Sequence, residues 1–282
     1  MSHELHDYVE AELLYNSFMR PSLNAAIASL NLPTKNATIL DAGCGPGGVF
    51  PLLYEAIGST GEIVGVDFSD PHLVKAREQI KQYGLEKVVK LKKLNLLESL
   101  PFPKDFFDAV WVADVIFPDW VESPSKLVRR LAEILKPGGV FAIYYGNWLR
   151  SMFLPGYARL EHLICTAHEL NRAKGRSWDD HTHPERALGW LREAKFVALR
   201  QEILPVHYRN PLPNEVRKYV GTYGLREYYA GSIKAYGDAA GINKKDKKLW
   251  KHISNPDRKE FLLDQPDYYC AAFALLTVGL KP

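Results

Sequence analysis

The chain has 282 residues, of which 46% are hydrophobic, 24% charged and 12% aromatic, and its formal net charge is +3. This is the balance of a globular protein with a sizeable core. It excludes wholesale disorder and gives no charge-based argument for a nucleic-acid partner. The longest apolar runs, such as Val140–Tyr145 and Ala271–Val278, fall far short of the ~20 residues that span a bilayer.

The first 30 residues read as one or two helices, with Leu13, Leu14, Phe18, Leu23 and Ile27 at roughly helical spacing. The opening MSHELHDYVEAELL places acids and histidines where a secretory signal has bases and then an apolar stretch. Three scattered cysteines (Cys44, Cys165, Cys270) suit a reducing compartment. The expectation is a cytoplasmic enzyme, with its oligomeric state left open.

From about Ala37 to Gly146, short β-rich runs alternate with helical patterns, which predicts an α/β unit around a mainly parallel sheet. Strands are expected at Ala37–Asp41, Ile63–Asp67, Val88–Leu94, Phe107–Val112 and Val140–Tyr145. Helices are expected from about Gly48, at Pro71–Tyr83 with Ser69 or Asp70 as cap, and at Pro124–Leu135. The last stops at Lys136-Pro137-Gly138-Gly139, a base followed by a proline–glycine break.

Residues 147–182 read as helical, His183–Phe196 as a helix, Val197–Leu204 as a strand and Tyr268–Val278 as a closing strand. The expected division is a helical cap (1–36), an α/β core (37–146), a lid segment (147–182), a core helix and strand (183–204), a helical insertion (205–266) and a final strand (267–282). The cap, the lid segment and the insertion are expected to cover one edge of the sheet together.

The chemistry is concentrated in four short motifs. In ILDAGCGPGG (39–48), a strand delivers Asp41 to a turn carrying Gly43, Cys44, Gly45 and Gly47. Glycine lets the chain turn tightly and lets a ligand approach where a Cβ would exclude it. The spacing is neither G-x-G-x-x-G nor a P-loop, which disfavours a nicotinamide oxidoreductase. An acid before the glycines would repel a pyrophosphate and suits an ammonium group.

In GEIVGVDFS, Asp67 ends the neighbouring strand, where a carboxylate can accept from both hydroxyls of a ribose. Downstream, Asn95 offers an amide to the edge of an adenine, and Phe68, Leu73 and Leu96 are candidates to sandwich its ring. The fourth motif, RLAEILKPGGVFAIYY (130–145), positions the fifth strand.

Taken in order, DAGCGPGG, VGVDFSDPHLVKARE, LPFPKDFFDAV and ILKPGG resemble the class I S-adenosylmethionine (SAM)-dependent methyltransferases, in the broad group of ubiquinone/menaquinone-biosynthesis and sterol methyltransferases. The matching stretch is about residues 37–146.

The resemblance implies a Rossmann-like, seven-stranded, mainly parallel sheet with helices on both faces, an antiparallel last strand and an insertion between the sixth and seventh strands. It implies SAM as cofactor and S-adenosylhomocysteine (SAH) as product. Asp41 and the Gly43–Gly47 turn would face the methionine part, and Asp67 the ribose. Asn95 stands where the family often has an acid reading the adenine amine. Ala113 and Asp114 would lie beneath the sulfonium end.

The acceptor is expected to be a small, partly apolar or aromatic molecule, given the tyrosine- and tryptophan-rich flanks. Tyr8, Tyr15, His162, His168, His181, His183, His207 and Tyr208 remain open as proton acceptors. The histidines and acids of SWDDHTHPER (177–186) read as helix-capping residues, so no metal is expected. The basic run NKKDKKLWKH (243–252) reads as a solvated helix face. Residues 114–120, DVIFPDW, lack the N/D-P-P-Y/W signature of amino-methylation of adenine or glutamine. Nucleic acid is therefore disfavoured. RNA methylation, or a non-catalytic cofactor-binding protein on the same fold, stands as the alternative.

Overall fold

The computed structural model describes residues 2–118, 121–173 and 182–282. Seven strands form one sheet: β1 (Thr38–Ala42), β2 (Glu62–Asp67), β3 (Val89–Lys93), β4 (Phe107–Ala113), β5 (Leu135–Gly146), β6 (Val197–Arg209) and β7 (Tyr269–Leu280). Their spatial order is β3-β2-β1-β4-β5-β7-β6. Strands β1 to β5 pair in parallel, and β7 runs antiparallel to both β5 and β6. The order reverses between β1 and β4. In open α/β sheets that reversal leaves a crevice beyond the carboxyl ends of the strands, and ligands bind there.

Alternate residues of each strand enter opposite layers, as the two-residue period of a strand requires. Ile39, Ala109 and Trp111 face one layer with Phe50 and Leu53 of α3 (Phe50–Ile57) and Leu73 and Ala76 of α4 (Asp70–Gln82). Leu40, Val110 and Val112 face the other, with Leu127 and Leu131 of α5 (Pro124–Glu133) and Trp190 and Leu191 of α7 (Ala187–Glu193). Ser69 caps α4, its hydroxyl accepting the His72 N–H at 3.5 Å.

The flanking helices join the first layer. These are α1 (Ser2–Phe18), α2 (Arg20–Ser29), α6 (Ala158–Ala173), α8 (Asn214–Lys218), a π-helical stretch (Tyr219–Tyr229), α9 (Ala230–Tyr236) and α10 (Lys244–Ile253). Phe18, Phe153, Tyr219, Tyr229 and Trp250 belong to the same buried cluster as the sheet's first layer. Among the described residues, no helix is long and apolar enough to cross a membrane.

Two strands run further than their sequence pattern suggests. β6 continues through Pro205 to Arg209, paired throughout with β7. A proline reads as a break, yet β6 lies at the sheet edge, where a missing N–H costs no ladder bond. β5 begins at Leu135, opposite Phe107, and passes through Pro137-Gly138-Gly139, so α5 ends two residues early at Glu133.

Candidate functional site

β1 ends in a turn whose three glycines take left-handed φ values: +83° at Gly43, +50° at Gly45 and +81° at Gly47. L side chains rarely adopt such values. A Cβ on Gly43 would also stand 2.3 Å from Cγ2 of Val115, just past β4, so the turn and the end of β4 are in close contact. The N–H groups of Gly43 and Cys44 donate to the Val66 carbonyl at 2.8 and 2.9 Å, and Gly47 N–H donates to the Cys44 carbonyl. Gly45 N–H donates to Oδ2 of Asp67 at 2.9 Å. The turn therefore contributes shape more than free donors, and the space at its three glycines is taken by Val115, Glu12 and Phe50.

Two carboxylates flank it. Asp41 is 1% exposed, and its Oδ2 has no hydrogen-bond partner among the described residues. Burial, with the Asp67 charge adding to it, pushes this carboxyl up to about 8. An orphaned buried carboxylate oxygen is costly unless something cationic or hydrogen-bonding completes it. Asp67 is held in place by the Gly45 N–H and by the Ser69 N–H on Oδ1 at 2.8 Å. Oδ2 keeps a second lone pair for a hydroxyl, whereas Oδ1 also faces His72 Nδ1.

Helix α1 lies over this crevice: Glu12 and Asn16 meet the turn at Gly45 and Gly48, Tyr8 meets His72 of α4, and Tyr15 meets Asp114. Glu12 Oε2 is 3.1 Å from His72 Nε2 and 3.3 Å from where a Gly45 Cβ would stand. His72 Nδ1 lies 3.5 Å from Asp67 Oδ1, within ion-pair range but outside hydrogen-bond geometry. Burial works against charge on His72, but Asp67 and Glu12 prevail and raise it to about 10. Tyr8 stacks on the same imidazole, with ring centres 6.0 Å apart.

At the end of β4, Asp114 adopts φ +52°, unusual for a residue other than glycine. Its Oδ1 accepts the Gly146 N–H at 2.8 Å and its Oδ2 accepts the Tyr15 hydroxyl at 3.1 Å. Burial pushes Asp114 up to about 7 against the lowering effect of these two donors.

The other predicted residues divide. Cys44 is buried, and burial with the nearby acids holds its thiol protonated, so it packs rather than reacts. Phe68 is 56% exposed beside the crevice, whereas Leu73 and Leu96 are buried in opposite layers and do not meet across a ring. Asn95 closes a local turn, its Oδ1 accepting the Leu97 N–H at 3.0 Å and its Nδ2 donating to Glu98 at 3.0 Å. Ala113 is half-buried at the end of β4.

Of the open proton acceptors among the described residues, Tyr15 alone is seen to hydrogen-bond Asp114. His168 is buried against Ser232 at 3.0 Å, and Tyr208 donates to the Phe18 carbonyl at 2.9 Å. His183 caps the turn after it by accepting the Glu185 N–H at 3.2 Å. His181, Asp179 and Asp180 lie outside the described residues. The basic run forms α10, which buries Trp250 and Ile253 and is capped reciprocally by Asn243 and Asp246. Sequence reasoning missed Glu12, His72 and Gly146. Nothing local to His72 or Gly146 signals a partner, and Glu12 is one helical turn from Tyr8 and one from Asn16, which marks a shared side of α1 without saying what it meets.

Beyond Gly146 opens a cavity of about 510 Å³ between α6 and the turns after β5, lined by Asn147, Arg150, His162, Glu169, Glu185 and Arg186 among others. Glu185 Oε1 accepts from Asn147 Nδ2 at 2.6 Å and from Arg150 Nε at 3.1 Å. Many of the flank aromatics, including Tyr144, Phe153, Tyr219 and Tyr229, are core side chains and do not line this space.

The residues fit SAM. Buried, underpartnered Asp41 and the glycine cradle suit the amino-acid end, and Asp67 suits the ribose. A family described as "Methyltransferase domain" matches residues 33–195, more than half of the chain, and the chain belongs to it. The fold is that of the class I SAM-dependent methyltransferases.

Among curated relatives, the chain is 37% identical over 112 residues to demethylmenaquinone methyltransferase of Bacillus licheniformis, covering 39% of this chain and 44% of that protein. It is 31% identical over 105 residues to the ubiquinone/menaquinone biosynthesis C-methyltransferase UbiE of Proteus mirabilis, covering 37% and 41%. The chain thus spans only about two-fifths of the length of the curated relatives it matches. A solved geranyl diphosphate methyltransferase in complex with SAM shares the fold at a TM-score of 0.55 and 14% identity, over 96% of this chain and 90% of that one. Phosphoethanolamine N-methyltransferase 2 of Haemonchus contortus shares it at 0.54 and 18%, over 92% and 52%.

Proposed function

We propose that the protein transfers a methyl group from SAM to a small molecule by in-line displacement in the crevice between β1 and β4. The observation that carries this reading is the placement of Asp41, the glycine turn and Asp67 side by side where the strand order reverses.

When bound, SAM supplies a methyl group on a sulfonium whose neutral thioether is a good leaving group. The protein's part is then mainly positional. Asp67 accepts from the ribose hydroxyls, and Phe68 offers its exposed ring to the adenine. Asp41 holds the ammonium, and α1 closes over the turn through Glu12, Tyr15 and Asn16, excluding water. The acceptor reaches the site from the cavity beyond Gly146, with polar groups toward Arg150, Glu169 and Arg186. Its apolar or aromatic part lies toward Leu149 and toward Tyr145, whose ring meets that of His183 in the cavity wall at 5.9 Å.

Incubation of the protein with methyl-labelled SAM and a fractionated cell extract tests the acceptor class. Label is expected in the small-molecule fraction. Label confined to RNA would contradict the reading.

A further inference from the structure

We infer that Asn147 selects the methyl acceptor: its side-chain oxygen takes a hydrogen bond from an N–H or O–H of the molecule in the cavity beyond Gly146, so the acceptor carries an amine or a hydroxyl at that point. The inference rests on the acceptor route proposed above and adds the chemistry that this wall of the cavity recognises.

Asn147 follows the last residue of β5 and is 2% exposed, yet it lines the cavity. Its backbone is fully engaged. The N–H donates to the Phe273 carbonyl of β7 at 3.0 Å, and the carbonyl accepts the Arg150 N–H at 3.2 Å and the Ser151 hydroxyl at 3.4 Å. One end of the side chain is held as firmly, with Nδ2 donating to Glu185 Oε1 at 2.6 Å. Glu185 is itself anchored, by Arg150 Nε on Oε1 and by its own N–H on His183 Nδ1. Burial works against its charge, but Arg150 and Asn147 prevail and hold the carboxyl below its ordinary range. An ionised carboxylate only accepts, so this contact decides which end of the amide is nitrogen and which is oxygen.

The oxygen, Oδ1, accepts no hydrogen bond from any described residue. Nor is it sealed. The described side-chain atoms that are both unpartnered and closed to solvent are Asp41 Oδ2, His72 Nδ1 and Trp111 Nε1. The opening left to the Asn147 oxygen is the cavity that its residue lines. Glu185 adds a second oxygen to the same wall, because Oε1 is spent on Asn147 and Arg150 while Oε2 has no partner among the described residues. The arginines of the cavity, Arg150 and Arg186, are exposed, so its buried lining residue is the one with a free acceptor.

Placement gives that oxygen its use. Gly146, the preceding residue, donates its N–H to Asp114 at the end of β4, so Asn147 stands where the cavity meets the crevice. An apolar group pressed against an anchored, desolvated oxygen forfeits a hydrogen bond, whereas an N–H or O–H keeps it. The amide takes no proton. Asn147 therefore orients and selects the acceptor, and Glu185 is the positioning residue that aims it.

The test is a ligand-observed NMR titration of the full chain with phenol, benzylamine and toluene, three rings that differ in the donor they carry. Phenol, benzylamine or both are expected to bind at least about tenfold more tightly than toluene, although toluene is the most apolar of the three. Phenol alone points to a hydroxyl acceptor and benzylamine alone to an amine. Asn147→Leu should abolish the preference. Glu185→Gln can still accept from Asn147 Nδ2 and should keep it, whereas Glu185→Leu cannot and should lose it. Toluene binding as tightly as the other two, no binding by any of the three, or a preference that survives Asn147→Leu would each overturn the assignment. Equal loss in Glu185→Gln and Glu185→Leu would remove the positioning role. SAH affinity, measured by calorimetry on the same proteins, is expected to stay unchanged. Absence of SAH binding in the wild type would strike the methyltransferase reading instead, which distinguishes the two failures.

Discussion

Asp67→Ala is expected to weaken SAH binding on the order of 100-fold, about 2.7 kcal/mol. Charge-assisted hydrogen bonds to two ribose hydroxyls are worth more than neutral ones, because a carboxylate is the strongest acceptor a side chain offers. The same substitution strips the Gly45 and Ser69 N–H groups of their acceptor. The turn should loosen as well, adding about 1–2 kcal/mol to the loss of fold stability. Calorimetry with SAH and a melting curve separate the two effects. A folded Asp67→Ala protein that binds SAH as well as the wild type would remove the ribose role from this residue.

Gly146→Ala is expected to break the contact between α1 and the sheet without unfolding the sheet. A Cβ at this position would stand 1.6 Å from the Tyr15 hydroxyl oxygen and 2.9 Å from its Cζ. Gly146 is not in left-handed backbone, so the conflict is with Tyr15 alone. Tyr15 must leave, taking its hydrogen bond to Asp114 with it, at a cost of about 1–3 kcal/mol for the overpacked contact. Hydrogen exchange should speed up across α1 while β1 and β4 stay protected. Adding Tyr15→Phe removes the worst clash, leaves the 2.9 Å approach to Cζ, and should restore part of the lost protection, a coupling that a double-mutant cycle measures directly. Unchanged exchange in Gly146→Ala would show that α1 is held from elsewhere.

The sheet and the crevice were legible in the sequence because their signals are local. Asp41, the three glycines and Asp67 lie within 27 positions, and each marks the end of a strand where strand and turn chemistry are read from neighbours. Ser69 as the cap of α4 was visible for the same reason. Elements fixed by distant partners were harder to read. The length of β6 depends on pairing with β7, about seventy residues later, so Pro205 looked like an end. Asn95 looked like an adenine reader because its place after β3 was right, yet its amide is bound to Leu97 and Glu98. Leu73 and Leu96 were adjacent to the site in sequence but point into opposite layers.

The cover of the crevice was the least legible part. A helical pattern does not say where a helix docks. Tyr15 and Asp114 are 99 positions apart and meet only because α1 crosses the ends of β4 and β5. Gly146 looked like the end of a strand, and its lack of a side chain acquires a reason only once Tyr15 is seen to fill that space. The flank aromatics suggested an acceptor pocket, whereas many of them build the core beneath it.

A nucleoside site formed by Asp41, the glycine turn and Asp67 shows itself when the unmodified protein is titrated with SAH. One-to-one binding is expected, with a dissociation constant of about 1–100 μM. The melting temperature is expected to rise with ligand, since a ligand at about 100 times its dissociation constant stabilises by about 2.7 kcal/mol. No heat and no thermal shift at about 1 mM SAH would contradict this site.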